Sequence, residues 1–261
     1  MRTDPPRAAD LARWWDEFRL AAGFLTRLPL GADETEAIGP LAQASWAFPL
    51  VGLVVGLVGG VVYSLAAWLG VPPLPAALLA VAATALATGA LHEDGLADVA
   101  DGFGGGADRA EKLAIMRDAR SGAFGVLAIV FSVGLRATAL AALADGGRVT
   151  AALVAAHALS RGFLPLVLRA LEPARSDGLG AAAGRPEAAN AWASAGLGAL
   201  IVLFALDWWG GVAALVAAAV AAILMSNVAR RQVGGYTGDV LGAIEQGGEV
   251  TVMLAAAAWA S

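Results

Sequence analysis

Long apolar runs separated by short polar segments dominate the chain. Each run approaches the roughly 20 residues that an α-helix needs to cross the hydrocarbon core of a bilayer. The runs predict spans at 46–70, 74–91, 122–144, 150–171, 190–206 and 210–229. The apolar tail 250–260 is too short alone, but it extends a seventh helix that starts near Leu241 and turns Glu245 and Glu249 toward protein. We therefore expect an all-α, polytopic transmembrane bundle of about six to seven spans.

The segment before the first span predicts an amphipathic helix over residues 10–28. Its apolar side chains recur at steps of three and four residues: Leu11, Trp14, Trp15, Phe18, Ala22 and Leu25. Two interpretations remain open, an interfacial helix with tryptophans at headgroup level and a surface helix packed on the spans. Pro29 ends the helix, and a polar stretch from Asp33 to Gln43 follows. The first ten residues, with two acids and two prolines, do not open a signal peptide.

Composition supports an integral membrane protein. Hydrophobic residues make up 59% of the 261 positions, charged residues 15%, and the mean hydropathy is +0.70. Soluble domains average about 45–50% apolar and about 25% charged residues. The net charge of −5 argues against nucleic acid as a partner, and the absence of cysteine excludes disulfides and thiolate metal sites. With two histidines in the chain, a histidine-rich zinc site is not expected.

Basic residues predict the orientation of the bundle. If the N-terminus is cytoplasmic, the basic segments 1–45, 92–121, 172–189 and 230–249 share that side, and among loop residues Arg148 alone faces outward. We expect one integral membrane domain over 1–261. Within it, 1–45 forms a cytoplasmic or interfacial segment and 92–121 a cytoplasmic catalytic loop.

An acidic stretch at 92–102 is the first candidate site. In a helix, Asp94, Asp98 and Asp101 fall within roughly 60° of arc on one face, where like charges repel. A shared cation removes that repulsion, and clustered carboxylates suit Mg²⁺, which commonly also binds a substrate phosphate. The stretch therefore predicts a magnesium-diphosphate site. The alternative is a solvated charge run that leaves a span.

A second candidate lies at 108–125, where basic residues follow the carboxylates. Arg117 and Arg120, with Lys112, offer phosphate-binding groups, and Asp118 offers a further metal ligand. Ser121-Gly122 is typical of a helix entry whose backbone N–H groups are free for an anion. The alternative is a set of interfacial anchors, which explains the positive charge but not Asp118.

Two further polar groups complete the candidates. In the glycine-rich turn at 234–245, Thr237 and Asp239 are predicted to bind substrate, with Asp239 also able to ligate a metal. The alternative is a loop that uses glycine for positive φ. Inside the span at 150–171, Arg161 must face a partner or a wet cavity, so we expect it to bind substrate phosphate or to form a structural ion pair.

Several strings then resemble one family. These are FLTRLPL (24–30), FPLVGLVVG (48–56), DGLADVADG (94–102), IMRDARSGAFG (115–125), ALSR (158–161) and GGYTGDVLGA (234–243). In order and over nearly the whole length, they resemble cobalamin synthase, the adenosylcobinamide-GDP ribazoletransferase family. The resemblance implies a Mg²⁺-dependent enzyme of the bacterial inner membrane. Glu93 stands where other members often have an apolar residue.

The resemblance also implies a reaction. Adenosylcobinamide-GDP and α-ribazole, or α-ribazole 5′-phosphate, give adenosylcobalamin, or its 5′-phosphate, and GMP. Asp94, Asp98 and Asp101 are then expected to be catalytic and, with Asp118, to hold Mg²⁺. The expected partners are these small molecules and the bilayer. A homo-oligomer and association with other membrane proteins of the pathway both stay open.

Two other classes are weighed against this family. The CDP-alcohol phosphotransferases place Ala-Arg after DGxx, where this chain has Asp98 and Val99. A secondary transporter with carboxylates on a broken helix predicts acidic groups at mid-bilayer, whereas here they follow the second span.

Overall fold

The computed structural model describes residues 8–30 and 41–259. Residues 1–7, 31–40 and 260–261, and with them most of the predicted polar stretch Asp33 to Gln43, lie outside the described residues. In the described part the chain is helical without a β-strand, as predicted. The helices are α1 Ala8–Leu25, α2 Leu41–Ala44, α3 Phe48–Trp68, α4 Pro73–Thr88, α5 Leu91–Gly105, α6 Arg109–Ile115, α7 Ala123–Leu143, α8 Gly146–Ala170, α9 Leu179–Ala182, α10 Ala188–Ala205, α11 Trp208–Val233 and α12 Gly238–Trp259.

Five of these segments are long and apolar enough to cross a membrane. They are Leu41–Trp68, Ala123–Leu143, Gly146–Ala170, Ala188–Ala205 and Trp208–Val233. The pair α4 and α5 adds a sixth if it is taken as one span bent by 93°. The predicted seventh helix is α12, which carries Asp239, Glu245 and Glu249 and is not one of these segments. The chain is therefore a polytopic membrane protein.

Helix α8 forms the axis of the bundle. Some 83% of its span is buried, and it packs against α3, α10, α11 and α12. Glycines let α3 approach it closely. A Cβ on Gly52 would lie 2.0 Å from the carbonyl oxygen of His157, and a Cβ on Gly56 would lie 2.6 Å from Cα of Val154. Small residues of this kind are a common basis of helix packing in membranes.

A sharp bend separates α4 from α5. Gly89 and Ala90 both adopt left-handed conformations, with φ of 66° and 56°, and their N–H groups cap the end of α4. A left-handed conformation costs a non-glycine residue about 1–2 kcal/mol. Arg27 packs over this turn and donates its backbone N–H to Ala87 at 2.7 Å. As a result α5 leaves the direction of α4, and its first residues reach α7 and α8, where Glu93 contacts Arg136 and His92 contacts Arg161.

The N-terminal helix α1 is formed as predicted and divides into two halves. Ala21, Ala22 and Leu25 are buried against the bundle, whereas Trp14 and Trp15 are exposed. The buried half agrees with a helix packed on the spans, and the interfacial interpretation of the exposed half stays a prediction. The hydroxyl of Thr26 donates to the carbonyl of Ala22, next to the end of the helix.

Candidate functional site

The predicted acidic helix exists as α5, and its three aspartates differ in exposure. Asp94 is exposed, Asp98 is half-buried and Asp101 is buried. The helical spacing therefore places them along one helix as expected, but it does not make them equivalent.

Asp101 binds the start of α7. Its two carboxylate oxygens accept the backbone N–H groups of Gly122 at 2.6 Å and Gly125 at 2.9 Å. Both positions require glycine, because a Cβ on either would lie within 2.6 Å of a carboxylate oxygen of Asp101. The expectation that the N–H groups around Gly122 are free for a substrate anion is therefore wrong for these two. The metal-ligand and catalytic roles of Asp101 stay predictions.

Asp239 joins the acidic face from the N-terminus of α12. Gly95 permits the approach, since a Cβ there would lie 2.8 Å from the carbonyl oxygen of Asp239. The carboxylate of Asp239 accepts from the hydroxyl of Thr237 at 3.1 Å and from Nη2 of Arg175 at 3.3 Å. Thr237 is buried and also accepts the N–H of Val240, so it caps α12 and orients Asp239. Direct contact of Thr237 with substrate stays a prediction.

Negative charge on this face is only partly compensated. The pKa of Asp98 is raised to about 7, first by burial and then by the neighbouring carboxylates of Asp94, Asp239 and Asp101. Arg175 acts in the opposite direction. A carboxylate cluster with this imbalance favours the binding of an additional cation.

Arg175 is a site residue that the sequence did not single out. Its loop is fixed to the glycine-rich turn, because Tyr236 donates its N–H to Glu172 at 3.0 Å and accepts that of Ala174 at 2.7 Å. Arg109 donates to the carbonyl of Ala174 as well, at 2.9 Å. In the sequence, Arg175 counts only as one more basic residue of a loop, because these contacts join segments some 60 residues apart.

The basic segment after α6 forms an exposed rim. Arg120 donates to both carboxylate oxygens of Asp118, at 3.0 and 2.7 Å, and these hydrogen bonds lower the pKa of Asp118 to about 2. Arg117 donates to both oxygens of Asp177 at 2.7 Å. The phosphate-binding roles of Arg117 and Arg120 and the metal-ligand role of Asp118 therefore stay predictions for side chains that are paired in this structure.

A cavity of about 190 Å³ lies beside the acidic face. Asp94, Asp239 and Arg175 line it together with His92. Apolar side chains of α1, α2, α3 and α8 supply half of the remaining lining residues. The arrangement places charged groups next to an apolar recess.

A second polar cluster is buried inside the bundle. Arg136 donates to Glu249 at 2.7 Å and to Glu93 at 3.2 Å. Arg161 donates to Glu249 at 3.0 Å and also contacts Glu245. All five side chains are nearly or fully buried. Arg161 thus forms the ion pair that was one of its two predicted roles, whereas its role in substrate binding stays a prediction.

Arg161 also explains a constellation that resembles a metal site. His157, Glu245 and Glu249 place one ligand atom each within 4.8 Å of one another. Nη1 of Arg161 lies 3.0 Å from Nδ1 of His157 and 3.0 Å from Oε1 of Glu249, and it contacts Glu245. The guanidinium therefore supplies the positive charge that a metal ion would bring to these three residues.

Together, the apolar bundle and the carboxylate-lined cavity define a polytopic membrane protein with a charged site. Sequence comparison identifies the family of this membrane protein. Residues 17–257 match the family described as cobalamin-5-phosphate synthase. The chain therefore belongs to the cobalamin-5-phosphate synthase family, and it is a membrane transferase of cobalamin synthesis.

Several curated relatives are similar over most of their length. The adenosylcobinamide-GDP ribazoletransferase of Bradyrhizobium diazoefficiens is 48% identical over 243 residues, which cover 93% of this chain and 94% of that protein. The protein of the same name from Mesorhizobium japonicum is 47% identical over 241 residues, 92% of each chain. No solved structure matches this chain. The resemblance found in the sequence motifs is thus confirmed.

Proposed function

We propose that this chain joins adenosylcobinamide-GDP to α-ribazole, or to α-ribazole 5′-phosphate, and releases GMP. The names of its relatives support the choice of substrates. The observation that carries the proposal is the pair of carboxylates, Asp94 and Asp239, that line the cavity beside Arg175, with Asp98 next to them. Such a group suits a diphosphate that arrives with a divalent cation.

The donor set fits Mg²⁺. Asp94, Asp98 and Asp239 offer hard oxygen ligands, whereas Asp101 and Asp118 are already engaged by backbone N–H groups and by Arg120. Among the described residues, these aspartates do not form a closed cage with three ligand atoms within 4.8 Å. Mg²⁺ usually keeps several waters and takes one or two carboxylates plus substrate phosphates. When bound, the ion supplies charge neutralisation to the diphosphate.

The protein residues then bind the phosphate, hold the metal ligand in place and accept a proton. Arg175 binds phosphate oxygens at the edge of the cavity, and Thr237 holds Asp239 in place. A ribose hydroxyl oxygen of the acceptor attacks the cobinamide-side phosphorus, and the bond from that phosphorus to the oxygen of GMP breaks. A carboxylate of the acidic face accepts the hydroxyl proton. No covalent enzyme intermediate is needed for this exchange.

Release of GMP tests the proposal. Purified protein in detergent or liposomes, given the GDP-activated corrinoid, α-ribazole and Mg²⁺, should release GMP in step with corrinoid product. Removal of divalent cations with EDTA should stop turnover, and added Mg²⁺ should restore it. Folded protein that releases no GMP, or that consumes a CDP-alcohol instead, would overturn the substrate assignment. Full turnover in EDTA would overturn the metal assignment alone.

We further propose that the protein lies in the bacterial inner membrane with its site facing the cytoplasm. The distribution of basic residues supports this orientation. A reporter that is active only in the periplasm should be inactive when fused at Gly105 and active when fused at Gly146. The reverse pattern would invert the orientation.

A further inference from the structure

The cavity beside the acidic face has two chemically different walls. Asp94, Asp239 and Arg175 form the charged wall, and Asp94 is exposed. Phe24, Leu25, Leu41, Phe48, Leu164 and Leu168 form most of the apolar wall, and the buried His92 also lines the cavity. Most of these apolar side chains are buried, including Leu25 with 1% and Leu164 with 4% of its surface exposed. The cavity therefore leads from a charged edge to an apolar interior.

We propose that this apolar wall binds the aromatic base of the acceptor nucleoside, and so sets the specificity of the enzyme for that base. The inference rests on the proposed function, because it assigns one of the two substrates to one part of the same site. The GDP-activated corrinoid then lies outside the recess, along the exposed part of the acidic face.

The size of the cavity favours the acceptor over the corrinoid. An engineered apolar cavity of roughly 150 Å³ binds a single benzene ring. A recess of about 190 Å³ therefore admits a small fused aromatic ring system. A corrin macrocycle, with four pyrrole-derived rings around a metal, is several times too large.

Chemistry distinguishes the acceptor base from guanine and adenine, the other bicyclic rings among the substrates. Both purines carry donors and acceptors along their edges, and burying these groups without partners is unfavourable. Leu41, Phe48 and Leu168 offer no side-chain hydrogen bond. The base of α-ribazole is a benzimidazole, which has few polar atoms along its edge. It therefore gives up few hydrogen bonds to water when it enters an apolar recess.

The same placement orients the reaction. With the base against α8, the ribose of the acceptor lies at the charged edge, where its hydroxyl faces Asp94 and Asp239. The diphosphate must reach this edge to meet its counter-charge from Arg175. A base-binding recess therefore brings nucleophile and phosphorus together from opposite sides of the acidic face.

Filling the recess tests this assignment. Ala183 is buried and lines the cavity, whereas its neighbour Ala182 is exposed and does not. Ala183→Leu should lower kcat/KM for α-ribazole at least about tenfold and leave KM for the GDP-activated corrinoid within about twofold. The α-riboside of imidazole, which has a single ring, should be affected much less. Ala182→Leu is the matched control and should leave all values unchanged.

The outcomes separate this inference from the proposed function. If wild-type protein releases no GMP, the proposed function fails. If it releases GMP but Ala183→Leu raises KM for the corrinoid and leaves the acceptor unaffected, the base-binding assignment alone is overturned.

A second measurement does not depend on a variant. An azidobenzimidazole α-riboside, photolysed with the wild-type protein, should label the α8 peptide that contains Leu164 and Leu168, and unlabelled α-ribazole should prevent the labelling. Labelling confined to other peptides, or prevented by GDP but not by α-ribazole, would also overturn the assignment.

Discussion

Two groups of carboxylates lie side by side on α5 and α12, and they differ in their counter-charges. Glu93, Glu245 and Glu249 face two buried arginines, whereas the neighbouring Asp94 and Asp239 face the cavity with Arg175 close by. Adjacent residues on a helix point about 100° apart, so a single helix can carry carboxylates of both groups on different faces. The comparison shows that charge pairing inside the bundle fixes α5 and α12, and that the charge left uncompensated outside it is available to ligands.

Removal of a buried arginine should have the largest effect. Arg161→Leu removes the arginine that contacts Glu245 and one of the two that pair with Glu249. The loss of one partner from a buried pair costs about 3–5 kcal/mol. We expect the variant to aggregate or to melt far below the wild type in detergent. Arg231→Leu, at an exposed position, is the control. A variant as stable as the wild type would show that the buried group does not hold the helices together.

Asp94→Asn should separate catalysis from folding. Asp94 is exposed at the cavity, so its loss should reduce GMP release at least about 100-fold with an unchanged melting temperature. Asp16→Asn, on the exposed face of α1, should retain full activity. An active Asp94→Asn variant would remove this residue from the proposed site.

Asp101→Ala should act first on stability. It removes the acceptor for Gly122 and Gly125 at the start of α7, and the loss of a helix-capping side chain costs about 0.5–2 kcal/mol. Denaturation in mixed detergent should show this loss, and hydrogen exchange should increase at Gly125. An unchanged stability would mean that the cap contributes nothing measurable.

Stability without divalent cations should fall as the pH rises from about 4 to about 7. The pKa of Asp98 is raised to about 7 in the folded protein, above its usual value of about 3.9. The folded state therefore binds the proton more tightly than the unfolded state, and this advantage is lost through the folded pKa. The decline should disappear in Asp98→Asn and shrink when Mg²⁺ is added. A slope that Asp98→Asn does not change would assign it to other groups.

Asp118→Asn should have the smallest effect. Asp118 and Arg120 pair in an exposed turn, and such pairs contribute little to stability. The melting temperature should not change measurably. A large loss of Mg²⁺-dependent activity at unchanged stability would instead support the predicted metal-ligand role of Asp118.

Some of these features follow from local sequence patterns. Apolar runs of nearly span length predicted α3, α4, α7, α8, α10 and α11, and the motifs predicted the family. The acidic stretch 92–102 was treated as a helix, and α5 covers it. Arg161 was recognised as a residue that needs a partner, because a charge at membrane depth is costly wherever it lies.

The partners themselves were not predictable. Asp101 was grouped with Asp94 by helical spacing, yet it binds backbone groups that follow 21 and 24 residues later. In the sequence, Arg175 is one basic loop residue among several. Its place at the site depends on the backbone hydrogen bonds between its loop and the turn at Tyr236. Both outcomes depend on contacts between distant segments, for which a single sequence carries no periodic signal.

The sequence by itself determined that this protein is a helical membrane transferase of its family. The length of an apolar run and the residues of a local motif can each be recognised without knowledge of the neighbouring helices. The tertiary structure alone decided which carboxylates are neutralised by arginine and which face the cavity. That choice depends on the bend at Gly89 and Ala90 and on the glycine contact between α5 and α12. Those features set the distances between charges, and the distances determine which charges are compensated.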